Sequence, residues 1–280
     1  MASATITDAA EPTVLVTRPT LLVAIGRQRV GKTTFLKSLA EITAQQGGRP
    51  EIWNTDSMNR SHTLSSLGPQ VLEADSTSPT GQAAWLEGQI EKLVESRHDA
   101  ILDIGGGWTA MHELIRSSPL VAALDELGVS LVTIFMIGME NADIDYLQDL
   151  QEQHGFLPRR TAIVINEGLL PVGIDTPQAV SQILENEAVL NALDRGAAHG
   201  VFPAINGLKK IADRGQSFMD FAANKPVPGQ PKSSVFDRLR VNRWLKRDVP
   251  LFLRDLGADY LPRMPKGLPD VVMELSLIHI

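Results

Sequence analysis

The stretch Thr20 to Thr34, TLLVAIGRQRVGKTT, limits what this chain can fold into more than any other. An apolar run, Leu21 to Ile25, meets Gly26-Arg27-Gln28-Arg29-Val30-Gly31-Lys32-Thr33, and a helical pattern follows. In order, this is a strand, a G-x4-G-K-[ST] loop and a helix. The residue types suit a polyphosphate. Backbone N–H groups of Gly26, Gln28, Arg29, Val30, Gly31 and Thr34 are placed to face phosphate oxygens, where the helix dipole also favours negative charge. Lys32 sets a cation between β- and γ-phosphates, and the Thr33 hydroxyl completes a Mg²⁺ shell. The bare pattern arises by chance in a chain this long roughly one time in a hundred. The competing reading is a glycine turn with a solvated lysine.

A length of 280 residues suffices for one large α/β domain with a sizeable core. With 43% hydrophobic and 21% charged residues, the composition is that of a packed globular chain. There is no cysteine, which removes disulfides and thiolate metal sites and fits a reducing cytoplasm, the expected location. The six histidines show no ligand spacing, so Mg²⁺ is the one metal with support. The opening MASATITDAAEPT has neither a basic nor an apolar region of a signal peptide. The longest apolar run, Leu131 to Met139, is too short to span a bilayer and reads as a buried strand. A formal charge of −7 argues against a globally basic nucleic-acid binder while leaving room for a local patch.

Strand and helix patterns then alternate. Strands are expected at 50–56, 69–75, 99–103, 131–137, 161–165 and 200–205, and helices at about 35–46, 85–97, 111–115, 144–153, 177–193 and 208–222. This predicts an α/β fold in three layers, a mostly parallel sheet flanked by helices, with a short C-terminal helical appendage. Residues 1–18 are expected to be a disordered tail, 19–224 the nucleotide-binding domain, 225–234 (KPVPGQPKSS) a proline-rich linker, and 235–280 a basic helical segment. The apolar last residues, Met273 to Ile280, resemble read-through into a non-native sequence.

Ligands of such sheets sit beyond the carboxyl ends of the strands. Asp56, Asp103 and Asn166 all fall there with the loop. Asp103 ends the apolar strand HDAILD and is placed to hold Mg²⁺, with a strand-end turn former as the plainer alternative. Gly106, in the triplet 105–107, allows backbone to approach a γ-phosphate. Asp56 is placed to orient an attacking water, against an ordinary helix cap.

These motifs resemble the ParA/MinD family of partition and positioning ATPases, within the SIMIBI class of P-loop proteins. The family's loop reads K-G-G-x-G-K-[ST]-[ST], where this chain has Arg27-Gln28-Arg29-Val30-Gly31-Lys32-Thr33-Thr34. Asn54-Thr55-Asp56-Ser57-Met58-Asn59 matches the end of its second strand, Asp103-Ile104-Gly105-Gly106 its Walker B form, and Val201-Phe202-Pro203 its late I-P segment. The similarity spans about residues 19–224. It implies ATP and Mg²⁺ as cofactors, Lys32, Asp56 and Arg27 as catalytic residues, Thr33 and Asp103 as metal ligands, and Asn166 and Pro203 at the base. Arg27 takes the place of the signature lysine that reaches across an ATP-dependent homodimer, and Gln28 and Arg29 replace two glycines. The residues Asn166-Glu167-Gly168-Leu169 are not N-K-x-D, which favours ATP over GTP.

The implied activity is slow, partner-stimulated ATP hydrolysis driving a switch in DNA partitioning, positioning or plasmid maintenance. Two alternatives stay open: an ATP-dependent ligase of the dethiobiotin-synthetase or cobyrinate-amidation type, and a degenerate, non-hydrolysing nucleotide-binding protein. In the C-terminal segment, Val241, Trp244 and Leu245 fall on one side of a helix and Arg240, Arg243, Lys246 and Arg247 on the other. The cations suit non-specific DNA, a membrane surface, or a solvated face packed through Trp244 onto the main domain.

Overall fold

The computed structural model describes residues 18–55, 64–67, 71–104, 115, 119–153, 156–171 and 173–273. Asp56, the triplet 105–107 with Gly106, residues 111–114 of the helix expected over 111–115, residues 1–17 and residues 274–280 lie outside them.

Seven strands form one sheet. They are β1 (Thr20–Ile25), β2 (Glu51–Asn54), β3 (Val71–Glu73), β4 (Ala100–Asp103), β5 (Ser130–Ile137), β6 (Arg160–Asn166) and β7 (Ala198–Phe202). Their order is β3-β2-β4-β1-β5-β6-β7. Every pairing is parallel, with Leu21 opposite Ala100 on one side and Leu131 on the other. A parallel sheet needs cover on both faces, and β1 shows why its strands read as unbroken apolar runs. Leu21, Val23 and Ile25 enter one core layer, while Leu22 and Ala24 enter the other.

On the first face lie α2 (Pro79–Ser96), α3 (Leu120–Glu126), α4 (Asn141–Gln153), α5 (Thr176–Leu184) and α6 (Glu187–Asp194). The second face carries α1 (Lys32–Gln45), α7 (Leu208–Ala212), α8 (Phe218–Ala222) and a C-terminal helix of α9 (Val235–Arg243), a π-helical turn (Trp244–Asp248) and α10 (Val249–Leu256). Among the described residues no helix is long and apolar enough to cross a membrane.

Three of the differences from the sequence expectation have a local cause. The helix expected over 177–193 is two, because Asn186 caps a new start by accepting from the Ala188 N–H. The helix expected over 208–222 is also two. Gly215 takes φ +62° between them, and Ser217 caps the second by accepting from Asp220 N. The last strand is 198–202 rather than 200–205, since Pro203 has no N–H to continue the ladder.

The C-terminal helix is held by aromatic contact. Phe202 of β7 stands 5.6 Å from Phe35, 5.7 Å from Trp244 and 5.6 Å from Phe252, each edge to face. Val241, Trp244 and Leu245 are all buried, and the Trp244 indole donates to the Pro203 carbonyl at 2.9 Å. The π turn has a local cause. Pro250 cannot donate to the carbonyl four residues back, and that carbonyl, of Lys246, instead accepts from Val272 N at 2.9 Å.

Two charged side chains on α1 fix the segment leading into α8. Lys37 donates to the Gln216 carbonyl at 2.7 Å, and Glu41 accepts from Phe218 N and Met219 N, both at 2.8 Å. Burial pushes the Glu41 carboxyl above its ordinary 4.5, with the Met219 and Phe218 N–H groups and Lys37 opposing and Asp220 adding to the rise. A native state that holds this proton more tightly than the unfolded chain loses stability as pH rises above 4.5. Glu41→Gln is therefore expected to flatten part of that slope, read as the difference in unfolding free energy between variant and parent across about pH 4–7. Truncation of Trp244 to alanine is expected to lower stability by about 3–5 kcal/mol, measured by urea unfolding.

Candidate nucleotide-binding site

The loop between β1 and α1 turns where side chains cannot go. Gly26 has φ +142°, and a Cβ there would lie 2.4 Å from the Met136 carbonyl oxygen of β5. Gly31 has φ +98°, and its Cβ would lie 2.3 Å from Asn166 Nδ2 at the end of β6. Both glycines are thus required by close backbone approach and left-handed geometry. Between them Arg29 also adopts φ +65°. The loop keeps a left-handed turn where the resembled family has glycine, at a cost of about 1–2 kcal/mol. Gln28 and Arg29 are exposed, while Val30 is buried in the second core layer.

Helix α1 begins at Lys32 with Gly31 as its N-cap, and no side chain caps it. Its first turn therefore directs N–H groups and the positive end of the helix dipole into the loop. Lys32 is nine-tenths buried and curls back, donating to the carbonyls of Gly26 at 2.9 Å and Arg27 at 2.8 Å. Thr33 donates its hydroxyl to Asp103 Oδ2 at 2.8 Å, joining the first turn of α1 to the end of β4. Asp103 is itself 1% exposed. Thr34 is half-buried in the same turn.

These residues fit a nucleotide phosphate carrying Mg²⁺. A space that a Cβ would fill, a buried ammonium and a hydroxyl–carboxylate pair are the groups such a ligand requires. Among the described residues no group of three or more His, Cys, Asp or Glu is placed to hold a metal ion. A cation held by Thr33 and Asp103 would draw most of its shell from phosphate and water, as Mg²⁺ does.

Arg27 points away from this centre. Its guanidinium donates to Glu140 Oε2 at 2.8 Å and Asp143 Oδ1 at 3.2 Å, on the corner after β5. Glu140 first, then Asp143, holds the guanidinium above its ordinary value. Asp143 is buried and also accepts from Gly138 N at 2.8 Å, which fixes the corner.

At the far side, Asn166 donates from Nδ2 to the Val30 carbonyl at 2.9 Å and accepts from Gly168 N at 3.0 Å, so it braces the loop from beneath. Glu167 bridges the connections after β6 and β7, accepting from Thr176 Oγ1 at 3.2 Å and Ala204 N at 2.9 Å. Pro203 stands beside that bridge. Glu140, Asp143 and Glu167 were missed from sequence, although each lies within six residues of a strand's carboxyl end, the one signal that would have marked them.

The basic face is partly satisfied internally. Arg240 pairs with Asp237 at 2.9 Å, and Arg243 lies 4.0 Å from Asp248. Burial pushes the Asp248 carboxyl up, Arg243 and Arg247 oppose this, and Glu167 adds to it. Lys246 is exposed.

The sheet, the glycine-framed loop and the carboxylate at the end of β4 define an α/β P-loop NTPase fold. No protein-family model and no curated protein matches the sequence. Solved structures similar to it include chloroplast FtsY from Physcomitrella patens, at 14% identity over 67% of this chain and TM-score 0.44. The chain spans 59% of that FtsY chain. The MinD cell division protein of Aquifex aeolicus is similar at 14% identity, covering 81% of this chain and 96% of MinD with TM-score 0.42. The MinC:MinD complex of the same organism gives 14% identity, coverage of 77% and 100%, and TM-score 0.43. At that distance the fold assignment rests on strand order and loop geometry.

Replacement of Gly31 by alanine is expected to drive Asn166 from the loop and abolish nucleotide binding in a titration with fluorescent ATP. Gly173→Ala has an equally positive φ but no neighbouring atom within 4 Å, and is expected to leave binding intact.

Proposed function

We propose that the chain is an ATP-hydrolysing switch of the ParA/MinD type, whose dimerisation and partner binding depend on the nucleotide. The observation that carries this reading is the 2.8 Å contact between Thr33 of the loop and Asp103 of β4, beside the buried Lys32. It brings together three residues that a Mg²⁺-dependent phosphoryl site needs, two from the start of α1 and one from the end of β4.

Mg·ATP, when bound, supplies a terminal phosphate polarised for attack by water. The chain's own residues do the positioning. Lys32 exchanges the Gly26 and Arg27 carbonyls for phosphate oxygens, and the N–H groups of Gly26 to Thr34 orient the chain of phosphates. Thr33 and Asp103 hold the cation. In this reading Asp56 orients water and Gly106 approaches the γ-phosphate. Asn166 and Pro203 line the base, and the absence of N-K-x-D after β6 favours adenine. Arg27 leaves its carboxylates to meet the phosphates of a second subunit, where a guanidinium is a permanent, bidentate donor.

The output would be placement of a DNA element in the cytoplasm, with hydrolysis stimulated by a partner protein and DNA held by Arg240, Arg243, Lys246 and Arg247. Two subunits would then offer about eight phosphate contacts, and affinity should fall by roughly 10³–10⁵ between 50 and 200 mM salt.

The deciding experiment measures ATP turnover with and without double-stranded DNA while following molar mass. The expected result is a mass increase with ATP and faster turnover on DNA, both lost in Lys32→Ala. Turnover by a monomer that requires a small carboxylic acid would reverse the reading in favour of a ligase.

A further inference from the structure

At the opposite end of the sheet lies a cavity of about 420 Å³, where the amino ends of β1, β5 and β6 meet the segment 258–268. It is separated from the loop by the six residues of β1, about 20 Å of strand. Thr20 and Ser130, both more than nine-tenths buried, line its inner wall. Three guanidinium groups line it as well, those of Arg18, Arg160 and Arg263, against one carboxylate, Asp259.

Two of these arginines are anchored from outside the cavity. Arg18 donates to Asp125 Oδ1 at 2.6 Å and to the Asp125 carbonyl at 2.7 Å. Arg263 donates through Nε to Asp99 Oδ1 at 3.0 Å and through Nη2 to the Arg97 carbonyl at 2.6 Å. Asp125 and Asp99 are not part of the cavity lining. Such anchoring offsets charge but fixes the plane of each fork, which is what recognition of a flat or tetrahedral anion needs. Arg160 is different. It is half-buried at the start of β6, and among the described residues its side chain has no hydrogen-bond or ion-pair partner. Nor does Asp259 pair with it. A half-buried guanidinium on the β6 flank of a cavity that two held ones also line, with buried Thr20 and Ser130, is a site prepared for negative charge.

We infer that this cavity is a second ligand site, independent of the nucleotide loop, that takes a small anion bearing a phosphate or carboxylate group. The volume falls in the range of small-molecule sites. Arg160 supplies the uncompensated charge, Arg18 and Arg263 give direction, and the hydroxyls of Thr20 and Ser130 complete the donor set. Asp259 limits how much negative charge the cavity accepts.

The test titrates the full chain with inorganic phosphate and, separately, succinate, against sodium chloride at matched ionic strength, by calorimetry and thermal unfolding. One of the two anions is expected to bind and to raise the unfolding temperature, and the arm that responds names the group. Arg160→Gln is expected to weaken that binding at least about tenfold, the loss typical of a charged hydrogen bond. Asp259→Asn is expected to strengthen it, which keeps the test decisive if Arg160→Gln folds poorly. Lys32→Ala is expected to remove only what the nucleotide loop itself takes up and to leave the component sensitive to Arg160→Gln unchanged. The inference is overturned if neither anion binds beyond the chloride control, or if binding ignores both cavity substitutions. It is equally overturned if binding disappears with Lys32→Ala, which would place the anion in the loop. Because β1 separates the two sites, failure here leaves the nucleotide reading standing, and the reverse also holds.

Discussion

Two approaches of backbone closer than a methyl group tolerates organise this protein. Gly26 presses against the Met136 carbonyl and Gly31 against the Asn166 amide, so the loop after β1 is wedged against the ends of β5 and β6. Everything nearby inherits its position from that wedge. Lys32 becomes the first residue of α1, Thr33 reaches Asp103 across the neighbouring strand, and Phe35 lands one turn later on Phe202. The same wedge leaves no side chain over the helix start, where the dipole is strongest.

The loop nonetheless departs from an all-glycine design. Arg29 carries a left-handed backbone at some cost, and Arg27 is drawn to an acidic corner rather than toward the loop centre. Lys32 bonds the carbonyls of its own loop. Arg27 and Lys32 are therefore satisfied within the molecule, and a phosphate must offer them better partners than those already in place. On the proposed reading, exchange of partners rather than filling of a void would be the energetic character of this centre, and Glu140 and Asp143 would take part in it.

Much of the fold was legible because a parallel sheet writes itself as apolar runs. Leu21–Ile25 and Leu131–Ile137 needed no alternation to be recognised. The order of strands was not legible, since pairing depends on how crossovers wrap and not on any local pattern. Helix breaks at Asn186 and Ser217 were missed because apolar spacing carried across them, although both residues are ordinary N-caps. At the site, the loop, Asp103 and Asn166 were readable as strand-end residues. The partners of Arg27 were not, because Glu140 and Asp143 lie 113 and 116 residues away. The helical wheel put Val241, Trp244 and Leu245 on one side, and all three are buried. It gave no hint that Trp244 would be tied to Pro203, beside the proposed base site.

Asp99, just before β4, accepts from Thr20 N at the start of β1 and from both the backbone and side chain of Arg263. One carboxylate thus buckles the first strand to Arg263, which lies 164 residues beyond Asp99. During synthesis that buckle cannot close until Arg263 has left the ribosome. Until then Asp99 has the Thr20 N–H but not Arg263, in a topology whose non-local pairings already form slowly. Shortening the chain before Arg263 would leave Asp99 with the Thr20 N–H but without the second segment it ties down.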